Sequence, residues 1–253
     1  MFKNNLLLKA AEHGTLRVAD TTDWRFAAGE MLLPVVYSEM ADVAREYPLL
    51  FLRGKPLVYA LTGIEQGINA YVGSDGRWLA TYVPARLRSY PFALTHMPDK
   101  PGEFAIVLDA DAPQLMQPGG HILFENSQPS PYLQQRMALL KAMQQAEPVT
   151  QAMVKVIQEA DILIERNIRI NRPDGQTSQL TGLLVVDETK LNQMPHEAFA
   201  RLRDKGVLPL IYAHLLSMAN LRQGVLAGKY PQLAAKKQAD INDLLQTETI
   251  RFN

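Results

Sequence analysis

The sequence predicts an α+β fold in which an antiparallel, hairpin-rich sheet packs with a mostly helical C-terminal half. Two hairpin signals and a change of composition carry that expectation. "PLLFLRGKPLVYALTG" and "ILIERNIRIN…SQLTGLLVVD" each set two apolar runs around a Gly-containing turn, which is how a hairpin reads in a sequence. After Pro131 the residues shift to Gln, Met, Ala and Leu, with apolar side chains recurring at helical spacing.

Element by element, "SEMADVAREY" (38–47) reads as a short helix, with Ser38 as N-cap, Glu39 and Asp42 in the first turn and Pro48 as the stop. Two strands follow around Gly54-Lys55-Pro56. Ser74-Asp75-Gly76 is a turn signal, because glycine adopts the positive φ that a tight hairpin needs, and "RWLATYV" after it alternates like a strand. "PARLRS" is one helical turn between Pro84 and Pro91, leading into the strand "PFALTH". "GEFAIVLDADAP" (102–113) is a further strand with an acidic end. From Tyr132 the chain is helical with a break or kink expected at Pro148. The second hairpin turns at "RPDGQT". The remainder reads as helices: "DETKLNQM", "PHEAFARLRDKG" capped by Gly206, "VLPLIYAHLLSMANLRQGV" and "PQLAAKKQADINDLLQ". No linker, repeat or charge run separates two halves, so residues 1–253 are expected to form one domain.

Composition narrows the function classes. With 47% hydrophobic and 21% charged residues the chain is an ordinary globular one. Lys+Arg and Asp+Glu are equal at 26 each, so no overall field draws it to nucleic acid or to an anionic membrane surface. Cysteine is absent, which removes disulfides, thiolate nucleophiles and Cys-based zinc sites together. No run of roughly 18 apolar residues suggests a membrane span. The start, "MFKNNLLLKAAEHGTLRVAD", has its apolar run interrupted by Lys9 and Glu12 and lacks a convincing cleavage site, so a cytoplasmic protein is expected.

The stretch "GSDGRWLATYVPARLRSYPF" (73–92) is the densest in chemistry. Tyr82, Leu87, Tyr90 and Phe92 have the spacing of core residues in a strand-turn-strand unit. Arg77, Trp78, Arg86 and Arg88 are the candidates for a site that captures a carboxylate, a phosphate or an acidic loop of a protein partner, since planar guanidinium groups do this well. Arg86 and Arg88 are two apart and cannot share a helix face, so at most one of them joins Arg77 at such a site.

Asp109 and Asp111 would lie on one side of a continuing strand, and such a pair invites a divalent cation. No nucleotide-binding repeat or Gly-rich phosphate loop accompanies them, so no metal and no cofactor is expected. The five histidines, His13, His96, His121, His196 and His214, show no metal-ligand spacing. His96 with Asp99 has the wrong spacing for an iron-binding triad. His214, among Leu210, Ile211, Leu215 and Met218, reads as a buried structural histidine. No serine sits in a G-x-S-x-G elbow. Asp109, Asp111 and His96 stand as the possible acidic site of an enzyme.

Several landmarks in order, "DGRWLATYVPARLRSYPFAL", "EFAIVLDADA", "LFENSQPSPYL" and "LTGLLVVDETKLNQMPHEAFARLRDKGVLPLIYAHLLSMANL", resemble the bacterial SapC family over roughly residues 30–225. The resemblance implies a link to the bacterial surface layer and its transport, and supplies no catalytic residue set. It also implies a companion role beside iron-dependent hydroxylase-like and flavin-dependent halogenase-like proteins. Three classes stay open: an accessory or binding protein of envelope or secretion machinery, a surface-layer structural protein, and an enzyme with a cryptic site. The first expects a protein partner or a small anionic ligand, and no nucleic acid.

Overall fold

The computed structural model describes residues 1–97, 100, 102–115, 119–171 and 175–235. Helices and antiparallel sheets combine as expected for an α+β fold. The larger sheet has five strands in the order Leu163–Asn171, Thr177–Val186, Leu49–Leu52, Val58–Leu61, Leu32–Val35. Both hairpin signals fold as read. Leu50 pairs with Tyr59 across one, and Leu163 pairs with Val186 at the far end of the other. Gly54 supplies the positive φ of the first turn, at 68°. Of the second turn, Arg172, Pro173 and Asp174 lie outside the described residues. A smaller sheet sets Phe104–Asp109 between Asn5–Leu7 and Phe92–His96.

Each sheet has its own apolar cluster. The larger gathers Val35, Leu49, Phe51, Leu61, Ile170 and Leu183 from the five strands with Val154, Ile157, Leu210 and Ile211 from helices. The smaller gathers Val18, Phe92, Leu108, Leu123, Leu133 and Leu140. The helix Pro131–Glu159 joins them: Leu133 and Leu140 near its start belong to the smaller cluster, and Val154 and Ile157 near its end to the larger. Its N-terminus is built from Ser130, whose side chain accepts from Leu133 N–H, with Pro131 behind it.

Four local expectations are corrected. The helix runs unbroken through Pro148. That proline is exposed, and it removes one backbone bond, while Ala146, Thr150 and Val154 around it are buried and hold the helix by packing. Thr150 adds a bond on each side, donating to Ala146 C=O at 2.8 Å and accepting Tyr37 N–H at 2.9 Å. "RWLATYV" makes a single bridge, Val72 to Trp78, and no strand. Two of its amides go instead to the Glu46 carboxylate, which accepts Thr81 N–H at 2.7 Å and Tyr82 N–H at 2.8 Å. Ser38 lies inside a 3-10 turn, Tyr37–Glu39, and does not cap the helix Met40–Ala44. Finally, "VLPLIYAHLLSMANLRQGV" splits into Leu208–Ser217, a 3-10 turn Met218–Leu221 and a new helix from Gly224, whose φ of 77° restarts the chain direction. In the C-terminal stretch only Gln232–Ala235 is described, as a helical turn; the rest of that expected helix is outside the described residues.

Candidate functional site

The segment 73–92 is held by its own residues and by the loop before Arg25. Gly76, at φ 85°, closes the Asp75 turn, and its carbonyl accepts Trp24 N–H at 2.7 Å. A Cβ there would meet Asp23 Oδ1 at 2.5 Å, so glycine is required twice over. This contact fixes the loop Ala19–Trp24 beside the helical turn Ala85–Arg88. Between them, and against the first turns of the long helix, opens a cleft of about 260 Å³. Its walls include Asp20, Trp24, Arg88, Gln114, Tyr132 and Arg136.

Arg88 is oriented before any ligand arrives. Its Nε donates to Val83 C=O at 2.9 Å and its Nη2 to the Tyr82 hydroxyl at 2.9 Å. Tyr82 in turn donates to Glu39 Oε2 at 2.9 Å. Glu39 is buried, and burial raises its pKa despite the bonds it accepts from Ala85 N–H and Tyr82. Burial likewise pushes the Tyr82 hydroxyl up, with the Glu39 charge adding to it. The result is a rigid Arg-Tyr-Glu chain leading inward from the cleft.

Arg136 comes from the opposite wall. Its Nη1 donates to Arg88 C=O at 3.2 Å, and its guanidinium lies over the Tyr132 ring, 4.9 Å from the centroid. Its Nε is buried without a hydrogen-bond partner among the described residues. Asp20 stands at the rim, 2.8 Å from His121 Nε2 and 3.9 Å from Arg136 Nη2. Gln114 is 2% exposed, yet neither its amide nitrogen nor its amide oxygen has a partner among the described residues. An unpaired buried amide costs roughly 1–3 kcal/mol, and such a group in a native fold asks for an explanation.

Of the four sequence-predicted binding residues, Arg88 lines this cleft. Arg77 is exposed and its Nε pairs with Asp75 at 2.5 Å. Arg86 lies over the Phe2 ring at 5.8 Å. Trp78 donates its indole N–H to Tyr47 Oη at 2.7 Å and packs on Tyr71 and Trp24. The acidic candidates part company. Asp109 is fully buried and accepts Asn4 N–H at 2.9 Å, Lys3 N–H at 3.2 Å and the Tyr90 hydroxyl at 2.9 Å. Burial alone would raise its pKa, but these bonds outweigh it and hold the carboxyl below its ordinary value. Asp111 is exposed and accepts from Asn4 Nδ2 at 3.2 Å. His96 packs its ring on Phe104; Asp99 lies outside the described residues. Among the described residues no three His, Asp or Glu side chains converge to hold a metal ion. His214 is the buried structural histidine expected: it bridges Leu49 C=O at 2.7 Å and Val186 N–H at 3.0 Å.

Sequence reading missed Asp20, Gln114, Tyr132 and Arg136. The Tyr132-Arg136 pair, four apart on a helix, carried a signal; Gln114 carried none.

Fold and cleft define an α+β protein with a surface cleft that Arg88 and Arg136 line. The chain belongs to the SapC family, whose model matches residues 8–223. No curated protein and no solved structure matched it. Among the described residues no helix is long and apolar enough to cross a membrane.

Proposed function

We propose that this SapC-family chain is a non-catalytic accessory protein that captures an anionic group, on a protein partner or a small ligand, in the cleft between Arg88 and Arg136. The observation that carries the reading is the pair of arginines, each anchored by backbone or tyrosine oxygens, facing one cleft whose carboxylate, Asp20, stands at the rim beside His121. Anchored guanidinium groups lose little freedom on binding and offer paired donors to a carboxylate. The cleft also lies slightly below the usual size range for drug-like ligands, which suits a small anion or one chain end. The family implies that the captured partner belongs to surface-layer, envelope or secretion machinery, with the protein acting from the cytoplasmic side.

Succinate titrated into the purified chain by calorimetry tests the anion reading. Replacing Arg88 or Arg136 with Ala should weaken binding about 10-fold or more, the effect of losing a charge-assisted bond of roughly 1.5–3 kcal/mol. Arg77→Ala, outside the cleft, should leave affinity unchanged. Equal affinity in all three variants overturns the reading.

A further inference from the structure

Resting on that reading, we infer that the cleft is specific for an α-carboxylate whose neighbouring nitrogen is acylated: the end residue of a peptide, or a free N-acyl amino acid. Three buried polar atoms of residues that line the cleft lack partners among the described residues: Gln114 Nε2, Gln114 Oε1 and Arg136 Nε. Two are donors and one is an acceptor. A bare anion satisfies the donors and leaves Gln114 Oε1 unpaired. A bare amide has no charge for the arginines. An extended residue presents its N–H and its carbonyl side on the same edge, as paired strands show when two residues exchange both bonds. Placed against Gln114, such a residue at a chain end gives its N–H to Oε1 and takes Nε2 on one carboxylate oxygen, leaving the other oxygen for Arg136. All three atoms are then paired.

A free amino acid also has a donor beside its carboxylate, but the donor is a charged ammonium. Setting a full positive charge beside the buried Arg136 Nε costs far more than setting a neutral N–H there, and the rim carboxylate Asp20 already lies between His121 and Arg136. Tyr132 is already stacked on His121 and covered by Arg136, so the Trp24 ring in the same wall is the apolar surface for the short side chain and acyl group such a ligand carries.

The test is calorimetric titration of the full chain with N-acetylalanine, butyrate, alanine and N-acetylalanine amide, together with acetyl-Ala-Ala-Ala. N-Acetylalanine should bind about tenfold or more tightly than butyrate or alanine, and its amide should not bind measurably. Gln114→Leu should bind butyrate as the unmodified chain does while losing the preference for N-acetylalanine. It should also be as stable or more stable to denaturant, because an unpaired buried amide has been replaced by an apolar group of similar size. If acetyl-Ala-Ala-Ala binds more tightly than N-acetylalanine, the natural source is a peptide end; equal affinity identifies a free N-acyl amino acid. Butyrate and N-acetylalanine bound equally, or Gln114→Leu keeping the preference, overturns this inference while anion capture by Arg88 and Arg136 stands. Failure of every carboxylate to bind overturns both.

Discussion

At the scale of single residues, His214 shows how burial and hydrogen bonding dictate a protonation state. Enclosed at 0% exposure, it donates through Nδ1 to Leu49 C=O and accepts Val186 N–H at Nε2, so the neutral ring joins the five-stranded sheet to the helix Leu208–Ser217. Burial lowers its pKa from 6.5 to about 4, a shift the Leu49 bond only partly offsets. The unfolded chain binds a proton here below pH 6.5 and the native one only near 4, so between these values the unfolded state holds more protons. Stability should therefore be unaffected above that window and fall by about 3 kcal/mol as pH drops through it, at about 1.4 kcal/mol per unit. Denaturant unfolding across the window should show that loss, and His214→Gln, which keeps a donor and an acceptor without titrating, should flatten it. An unchanged pH profile in the variant would assign the loss elsewhere.

At the scale of elements, the long helix carries both its own flaw and the reason the flaw is tolerated. Pro148 has no N–H to give back to the preceding turn, but the buried residues at 146, 150 and 154 keep the axis in place. Because Pro148 is exposed, replacing it with Ala adds the missing backbone bond without disturbing packing. Pro148→Ala should raise unfolding free energy by roughly 1–3 kcal/mol, up to the interior-proline penalty. A loss of stability would mean that the backbone at Pro148 is needed as it stands. The stretch 79–83 is the converse case: it alternates like a strand, yet Glu46 takes the amides of Thr81 and Tyr82 that a neighbouring strand would have taken. A single carboxylate from the short helix region thereby shapes the approach to Arg88.

For the whole molecule, two apolar clusters raise the question of one folding unit or two. Leu133 and Leu140 sit in one, Val154 and Ile157 in the other, all on one uninterrupted helix. Leu87 of the larger cluster and Tyr132, packed on the smaller, both line the cleft between them. We expect residues 1–253 to unfold as one cooperative domain, with a single calorimetric transition whose calorimetric and van't Hoff enthalpies agree. Leu140→Ala, a cavity in the smaller cluster, should cost about 2–5 kcal/mol and move that whole transition. Two resolved transitions, with only one shifted by Leu140→Ala, would show two units.

What the sequence determined by itself is whatever rests on local chemistry: the two hairpins at their Gly turns, the helical stretch from Tyr132, the Ala85–Arg88 turn between two prolines, and the buried neighbours of His214. The family was legible too, because its landmarks recur in order along the chain. Only tertiary structure decided that Glu46 would replace a strand partner, that Asp109 would clamp the backbone of Lys3 and Asn4, and that of the four candidates in 77–88 Arg88 alone would meet Gln114 and Arg136 at one cleft. Each joins residues at least 22 positions apart and most of them far more distant, and the periodicities of helix and strand reach only a few positions. A lone buried Gln has no pattern of its own; its meaning comes from the atoms that do, or do not, surround it.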